Sequence, residues 1–128
     1  MKQKMIFVFG SNLAGIHGAG AARFANRKLG AVWGVGEGPT GECYALPTKG
    51  HKIENLSLSK INFHIKKFLD HAANNLDKDY KVTCVGTGLA VWDHKDIAPL
   101  FEDAPRNCYF DELWRPFLGD KVEYWGTF

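Results

Sequence analysis

Three kinds of feature are scarce in this chain of 128 residues, and each scarcity argues against a class of protein. Positive and negative charges nearly balance, with a formal net charge of +2. That excess is too small to indicate a nucleic-acid or membrane partner by itself. Long apolar runs are missing, since none approaches the roughly 20 residues that a membrane-spanning helix needs. The apolar stretch 5–9 is also too short for the apolar region of a signal peptide. We therefore expect a cytoplasmic location.

Cysteine is scarce as well. Cys43, Cys84 and Cys108 are an odd number of widely spaced residues, each within an apolar, strand-like run. No pair has the spacing of zinc ligands, and no local pattern indicates a catalytic cysteine. The sequence therefore predicts buried free thiols and implies neither a metal site nor a cofactor.

The apolar and polar patterns predict alternating strands and helices. Strand-like runs cover 5–10, 43–46, 81–86, 107–110 and 121–125, with a further short run at 31–35. Helical periodicity or capping signals cover 18–29, 57–75, 93–101 and 111–118. Pro47 is expected to end the second strand, and Phe24 to join the inner face of the first helix. This alternation predicts an α/β domain whose central mixed sheet is flanked by helices.

Two glycine-rich turns carry most of the chemical information. The first glycine-rich turn (residues 10–20) and the second (residues 86–90) each follow an apolar, strand-like run. Glycines let a backbone approach an anion, and the N–H groups of a turn and of a helix start point at it. Ligands of α/β sheets bind beyond the C-terminal ends of strands, where both turns fall. The pattern indicates two loops closing on one phosphate-bearing ligand.

Neither of the common nucleotide motifs fits the first turn. It reads Gly15-x-x-Gly18-x-Gly20, and no acidic residue follows a second strand at the spacing of the dinucleotide fingerprint. The Gly-Lys-Ser/Thr of nucleotide-hydrolysing P-loops is missing too. Tight packing of a helix against a strand is an alternative explanation for the glycines of this turn.

Three segments together resemble a known family more specifically. They are Asn12 with Gly18-Ala19-Gly20-Ala21, then the strand-like segment 44–49, and then the segment 85–89. Their order and spacing resemble the macrodomain family, which binds ADP-ribose. The branch most similar contains the terminal ADP-ribose protein glycohydrolase and antitoxins that remove ADP-ribose from DNA, and its helix after the second turn resembles 91–101. The likeness spans residues 6–110 and implies one three-layer, macrodomain-like domain over residues 1–128.

The resemblance implies ligand-binding roles by position. Amides of the first turn would hold one phosphate, and amides of the second would hold the diphosphate and the distal ribose. Asn12 would lie near the distal ribose, or would shape the loop through an Asx turn. Trp92 would cover the ligand, or would be a core or lid aromatic. The implied contacts are Gly10, Ser11, Asn12, Gly18, Ala19, Gly20, Ala21, Thr48, Gly86, Thr87, Gly88, Leu89, Ala90, Val91 and Trp92.

Lys49 is the catalytic nucleophile that the resemblance implies. Its amine would attack the anomeric carbon of a ribose, form a Schiff base and release ADP-ribose when water adds. Such an attack needs the amine in part unprotonated, and Thr48 could orient it. The alternative is a surface lysine that precedes a turn at Gly50.

A departure from the family pattern concerns the acid–base group. Ala90 stands where the protein-directed glycohydrolase has an acid, although the DNA-directed antitoxins also lack one there. Removal of ADP-ribose from protein carboxylates is therefore less well supported than removal from DNA. We expect His17 to supply the missing group because it lies within the phosphate turn. Glu37, Asp93 and His94 are the other candidates.

Two further functions suit the same residues. A non-catalytic module would bind ADP-ribose or a cyclic ADP-ribose derivative, and a phosphatase would act on ADP-ribose 1″-phosphate. The expected partner in each case is ADP-ribose or an ADP-ribosylated protein or DNA, with no membrane involved. The sequence leaves the oligomeric state open, and the aromatic segment 114–128 is expected to cover a sheet edge or form a dimer contact. An ADP-ribosyl hydrolase is the favoured interpretation.

Overall fold

The structure is a computed structural model, and it describes residues 5–88 and 91–128. Its strands are β1 (Met5–Asn12), β2 (Gly38–Thr40), β3 (Cys43–Lys49), β4 (Asp79–Val82), β5 (Cys108–Asp111) and β6 (Glu123–Gly126). Its α-helices are α1 (Gly20–Lys28), α2 (Leu58–Ala73), α3 (His94–Ile97) and α4 (Arg115–Leu118). Short 3₁₀ helices cover Ala98–Phe101, Glu112–Trp114 and Gly119–Lys121.

The strands form one six-stranded mixed sheet in the order β2-β3-β1-β4-β5-β6. The pairs from β3 to β6 are parallel, and only β2 runs antiparallel to its neighbour β3. The expected α/β fold with a central mixed sheet is thus confirmed. Because β1, β3, β4 and β5 run in one direction, their C-terminal ends and the loops that follow them meet at one edge of the sheet.

Both faces of the sheet are covered by helices. Along β1, alternate side chains point to opposite faces, so Phe7 and Phe9 pack with Ala22 and Ala25 of α1. Val8, between them, packs on the opposite face in a larger apolar cluster. Helix α2 contributes to that second cluster the buried residues Ile61, Ile65, Phe68, Leu69 and Ala72. Their helical spacing is the pattern that predicted this helix.

Helices α3 and α1 begin in different ways. Asp93 caps α3 as expected, and Asp96 completes a capping box with it. At α1 the N-cap position holds Ala19, which has no polar side chain and makes no capping hydrogen bond. The N–H groups at the start of α1 are therefore left for another acceptor.

Several predicted element boundaries are wrong. Pro47 lies inside β3, where it pairs with Ser11, and does not end the strand. β2 pairs only with residues 43–45, so the missing N–H of Pro47 costs no hydrogen bond on that side. No strand forms at 31–35, because the chain pairs with β3 only at Gly38–Thr40.

The third predicted strand and the inner face of the first helix also differ from expectation. β4 ends at Val82 and not at Gly86, since Thr83 and Val85 form a tight turn in which Val85 N–H donates to the Thr83 carbonyl at 2.7 Å. Phe24 contacts the buried ring of Phe7 at 5.4 Å between centroids but remains exposed itself, and it also packs against Phe128 at 5.3 Å.

The aromatic C-terminal segment covers one edge of the sheet, which is one of its two expected roles. Strand β6 pairs along β5, and Trp125 reaches back to donate its indole N–H to the Val82 carbonyl at 2.9 Å. Across the described part of the chain, the structure contains no helix long and apolar enough to cross a membrane.

Candidate functional site

A cleft of about 580 Å³ opens at the C-terminal ends of β1, β3, β4 and β5. That volume lies within the range of pockets that hold small organic ligands. The candidate nucleophile Lys49 lines the cleft, as do most residues with an expected binding role: Gly10, Ser11, Asn12, Gly18, Ala19, Gly20, Ala21, Thr48, Gly86, Thr87 and Gly88. The other lining residues are Ile16, Ala22, Ile53, Thr83, Cys84, Val85, His94, Asp111, Leu113 and Phe128.

The first glycine-rich turn is held in shape by the side chain of Asn12 and by the neighbouring loop that contains Gly34. Asn12 donates from Nδ2 to the Ile16 carbonyl at 2.8 Å and accepts from the Ile16 N–H at 3.0 Å. Asn12 thus shapes the loop, as one alternative expected, but through bonds to the residue four positions on and not through an Asx turn; it also lines the cleft. Gly34 N–H donates to the Gly15 carbonyl at 2.8 Å, so the neighbouring loop packs against this turn.

The second glycine-rich turn is fixed by the hydroxyl groups of two threonines, one of which bonds to β1. Thr83 donates its hydroxyl to the Val8 carbonyl at 2.7 Å, and Thr87 donates to the Cys84 carbonyl at 2.8 Å. A Cβ placed on Gly10 would lie only 3.4 Å from the backbone N of Gly86, so the two turns adjoin. Leu89 and Ala90, which also have expected binding roles, lie outside the described residues.

Lys49 stands between the two turns. It is the last residue of β3, pairs with Asn12 in the sheet, and is half-buried in the cleft lining. Its carbonyl accepts a hydrogen bond from the Leu13 N–H at 3.0 Å. Thr48, beside it, donates to the Ser11 carbonyl at 3.5 Å. These bonds fix the backbone of Lys49 against the start of the first turn.

A short loop after Lys49 supplies an apolar part of the cleft wall. Gly50 N–H donates to the Glu54 carbonyl at 2.9 Å, and Ile53 N–H donates to the Gly50 carbonyl at 3.1 Å. Ile53 has a φ of 61°, a conformation that a β-branched residue adopts only at a cost of about 1–3 kcal/mol. The loop thus holds an apolar side chain at the cleft in a strained backbone.

His17 does not belong to the cleft lining. It is buried, with Nε2 donating to the Val32 carbonyl at 3.1 Å and its ring between Phe9 and Trp33. Its Nδ1 has no hydrogen-bond partner among the described residues. The structure therefore places the side chain of His17 behind the first glycine-rich turn, although His17 is part of that turn in the sequence.

Trp92 and Val91 also lie outside the cleft lining. Trp92 donates its indole N–H to the Leu56 carbonyl at 3.0 Å and packs against the larger core cluster, whereas Val91 is exposed. This position of Trp92 corresponds to the core alternative.

The other acid–base candidates differ in location. Glu37 binds His64 at 2.5 Å and Lys67 at 3.0 Å, and does not line the cleft. Asp93 caps α3 and is also outside the lining. His94 does line the cleft, and its Nδ1 lies 2.9 Å from the indole N–H of Trp114.

Two titratable residues of the cleft lining, Asp111 and Cys84, were not expected there from the sequence. The buried carboxylate of Asp111 accepts hydrogen bonds from Leu113 N–H at 2.9 Å, Thr127 hydroxyl at 3.1 Å and Phe128 N–H at 3.1 Å. Burial, and then the charge of Asp111, raise the pKa of the Cys84 thiol to about 12. Cys84 therefore stays protonated near neutral pH and is a poor nucleophile. An acid directly after the apolar run 107–110 was the signal for Asp111.

Comparisons of the chain with protein-family models, with curated proteins and with solved structures found no match. Among the described residues, no group of three or more His, Cys, Asp or Glu side chains is arranged to hold a metal ion. Fold and site together define an α/β protein with a glycine-lined cleft at the C-terminal ends of its parallel strands.

Proposed function

We propose that this macrodomain-like protein binds ADP-ribose, or an ADP-ribosyl group on a macromolecule, in the cleft and hydrolyses the ADP-ribosyl linkage with Lys49. The observation that carries the proposal is that both glycine-rich turns and Lys49 line one cleft at the C-terminal ends of the strands. A phosphate-bearing ligand and a nucleophile would thus meet in one place.

Backbone amides supply the anion-binding character of the cleft. Gly20, Ala21 and Ala22 at the start of α1 line it, and no side chain caps this nine-residue helix. Uncapped N–H groups and the helix dipole both favour an anion at that end. Cβ atoms added at Gly18 or Gly88 would meet nothing within 4 Å, so these glycines leave room for a ligand beside the backbone.

Lys49 would act as a covalent nucleophile on the distal ribose. The Nζ lone pair attacks the anomeric carbon, the bond from that carbon to the acceptor breaks, and the acceptor departs with a proton that Nζ loses. Opening of the ribose ring gives a Schiff base on Nζ. Water then adds to the imine carbon, and loss of the amine regenerates Lys49 and releases ADP-ribose.

Reductive trapping tests this chemistry directly. The protein is incubated with ADP-ribosylated DNA or ADP-ribosylated protein and cyanoborohydride, and the adduct is located by mass spectrometry. We expect a stable adduct on Lys49 and a fall in ADP-ribose release of more than about a thousandfold for Lys49→Ala. Lys52→Ala is the matched control, because Lys52 is exposed and outside the cleft lining. Unchanged release by folded Lys49→Ala would contradict the assignment.

A second candidate function is binding without cleavage. Asp111 is the only carboxylate among the described residues that line the cleft, and three donors from the protein already occupy it. A leaving group would then find no unengaged acid among these residues. Calorimetry that shows equal ADP-ribose affinity for wild type and Lys49→Ala, with no release from either substrate, would favour this function. Phosphate release from ADP-ribose 1″-phosphate would instead indicate the phosphatase.

A further inference from the structure

His94 is a histidine of the cleft wall whose ring is fixed by a core residue. It is half-buried and lines the cleft, at the first residue of α3. Trp114, which is fully buried, lies behind it with its indole Nε1 at 2.9 Å from His94 Nδ1. The contact joins two elements that are 20 residues apart in the chain.

The chemistry of the indole decides which form of the imidazole is present. Indole N–H can only donate a hydrogen bond, so His94 Nδ1 must accept it and carries no proton. The ring bound to Trp114 is therefore neutral, and its proton is on Nε2. With Nδ1 occupied, the polar group that His94 can offer to a molecule in the cleft is the Nε2–H donor.

Helix α3 lies against the second glycine-rich turn. A Cβ placed on Gly86 would be 3.4 Å from Cδ1 of Ile97, three residues beyond His94. The helix that carries His94 is thus adjacent to the backbone amides that would hold the diphosphate. A neutral N–H donor there adds a directed hydrogen bond without adding charge.

We propose that His94 is a ligand-binding residue that donates Nε2–H to an oxygen of the bound diphosphate, and that Trp114 is the positioning residue that fixes its tautomer. The proposal rests on the proposed function for the identity of the ligand. His94 was, beside His17, one of the histidines considered as an acid–base group. The proposal makes it a hydrogen-bond donor in the cleft instead.

The tautomer can be measured in the ligand-free protein. Histidine side-chain nitrogens are labelled and observed by NMR at neutral pH, with the His94 signals assigned from the spectrum of His94→Gln. We expect an unprotonated Nδ1 and a protonated Nε2 in wild type, and a loss of the fixed pattern in Trp114→Phe. A proton on Nδ1 in the wild-type protein would overturn the inference without reference to any ligand.

Ligand binding is the second arm of the test. ADP-ribose should shift the Nε2 signal of His94, and His94→Phe should lose about tenfold in affinity, since one hydrogen bond to a charged group is removed. His94→Gln, which retains a side-chain N–H donor, should lose less. His51→Gln serves as the control because His51 is exposed and outside the cleft lining. Thermal unfolding of each variant shows that it is folded.

The outcomes separate this inference from the proposed function. If ADP-ribose binds wild type and His94→Phe equally, the role of His94 is wrong while the proposed function survives. If ADP-ribose does not bind wild type, the proposed function is wrong, and inorganic diphosphate becomes the probe of His94. A His94 Nε2 signal that neither ADP-ribose nor diphosphate moves would overturn the inference.

Discussion

The two glycine-rich turns reach the same cleft but are held in place by different means. In the first turn, backbone packs against backbone. A Cβ on Gly15 would clash with the backbone of Gly34, and a Cβ on Gly36, in the neighbouring loop, would clash with the backbone of Asn12. In the second turn, a Cβ on Gly86 would meet only side-chain atoms of Ile97 and Thr48, at 3.4 Å. A side chain can move aside, whereas a backbone in a packed loop cannot.

This difference shows that glycines close together in sequence have separate tasks. The first turn owes its shape to Gly15 and to the loop that contains Gly34 and Gly36, so tight packing does explain part of its glycine content. Gly18 and Gly88 face open space at the cleft, one from each turn. Four substitutions, taken in order of their expected effect on stability, test the comparison.

Gly15→Ala should have the largest effect. Gly15 has a φ of 71°, and the added methyl group would overlap the Gly34 backbone. The left-handed conformation costs about 1–2 kcal/mol and the overpacking about 1–3 kcal/mol. We therefore expect urea unfolding to show a loss of about 2–5 kcal/mol and a loss of ADP-ribose binding. A loss below about 1 kcal/mol would show that the glycine contact does not hold the first turn.

Gly86→Ala should have an intermediate effect. The φ of Gly86 is 77°, but the new methyl group would meet Ile97 and Thr48 side chains at ordinary contact distance. Only the conformational cost of about 1–2 kcal/mol then applies. The same urea titration measures it. An effect equal to that of Gly15→Ala would remove the distinction between the two turns.

Gly18→Ala and Gly88→Ala should have the smallest effect on stability. Both positions have open space and lack a positive φ, so the free energy of unfolding should change by less than about 0.5 kcal/mol. In the cleft, each methyl group should obstruct the approach of a phosphate to the backbone. We expect about tenfold weaker ADP-ribose binding by calorimetry, a cost typical of losing one hydrogen bond to a charged group. Unchanged affinity in both variants would mean that the ligand does not approach these amides.

The fold could be predicted where local patterns determine it. The helical spacing from Ile61 to Ala72 located α2, and the Asp93–Asp96 pair located the start of α3. The position of Pro47 could not be predicted, because it depends on where the partner strand β2 stops. Pairing between distant segments decides such boundaries, and no local pattern along the chain shows that pairing.

The candidate site, like the fold, was predictable only where local patterns along the chain determine it. Lys49 is the last residue of a strand and most glycines of the turns follow strand ends, and the C-terminal ends of parallel strands lie together. His17 was misleading, since the turn directs Ile16 outward, with 42% of its surface exposed, and His17 inward, with 1% exposed. The tautomer of the His94 ring depends on its hydrogen bond from Trp114, and no local pattern in the sequence connects these two residues.

Asp111 has a practical consequence for handling the protein. Its carboxylate ties down Thr127 and Phe128, so anything attached after Phe128, such as an affinity tag, starts beside the cleft mouth. Met5 begins β1, at the end of the strand that lies away from the cleft. Purification and immobilisation should therefore use the amino-terminal side, and a carboxy-terminal tag should itself compete with the ligand for space.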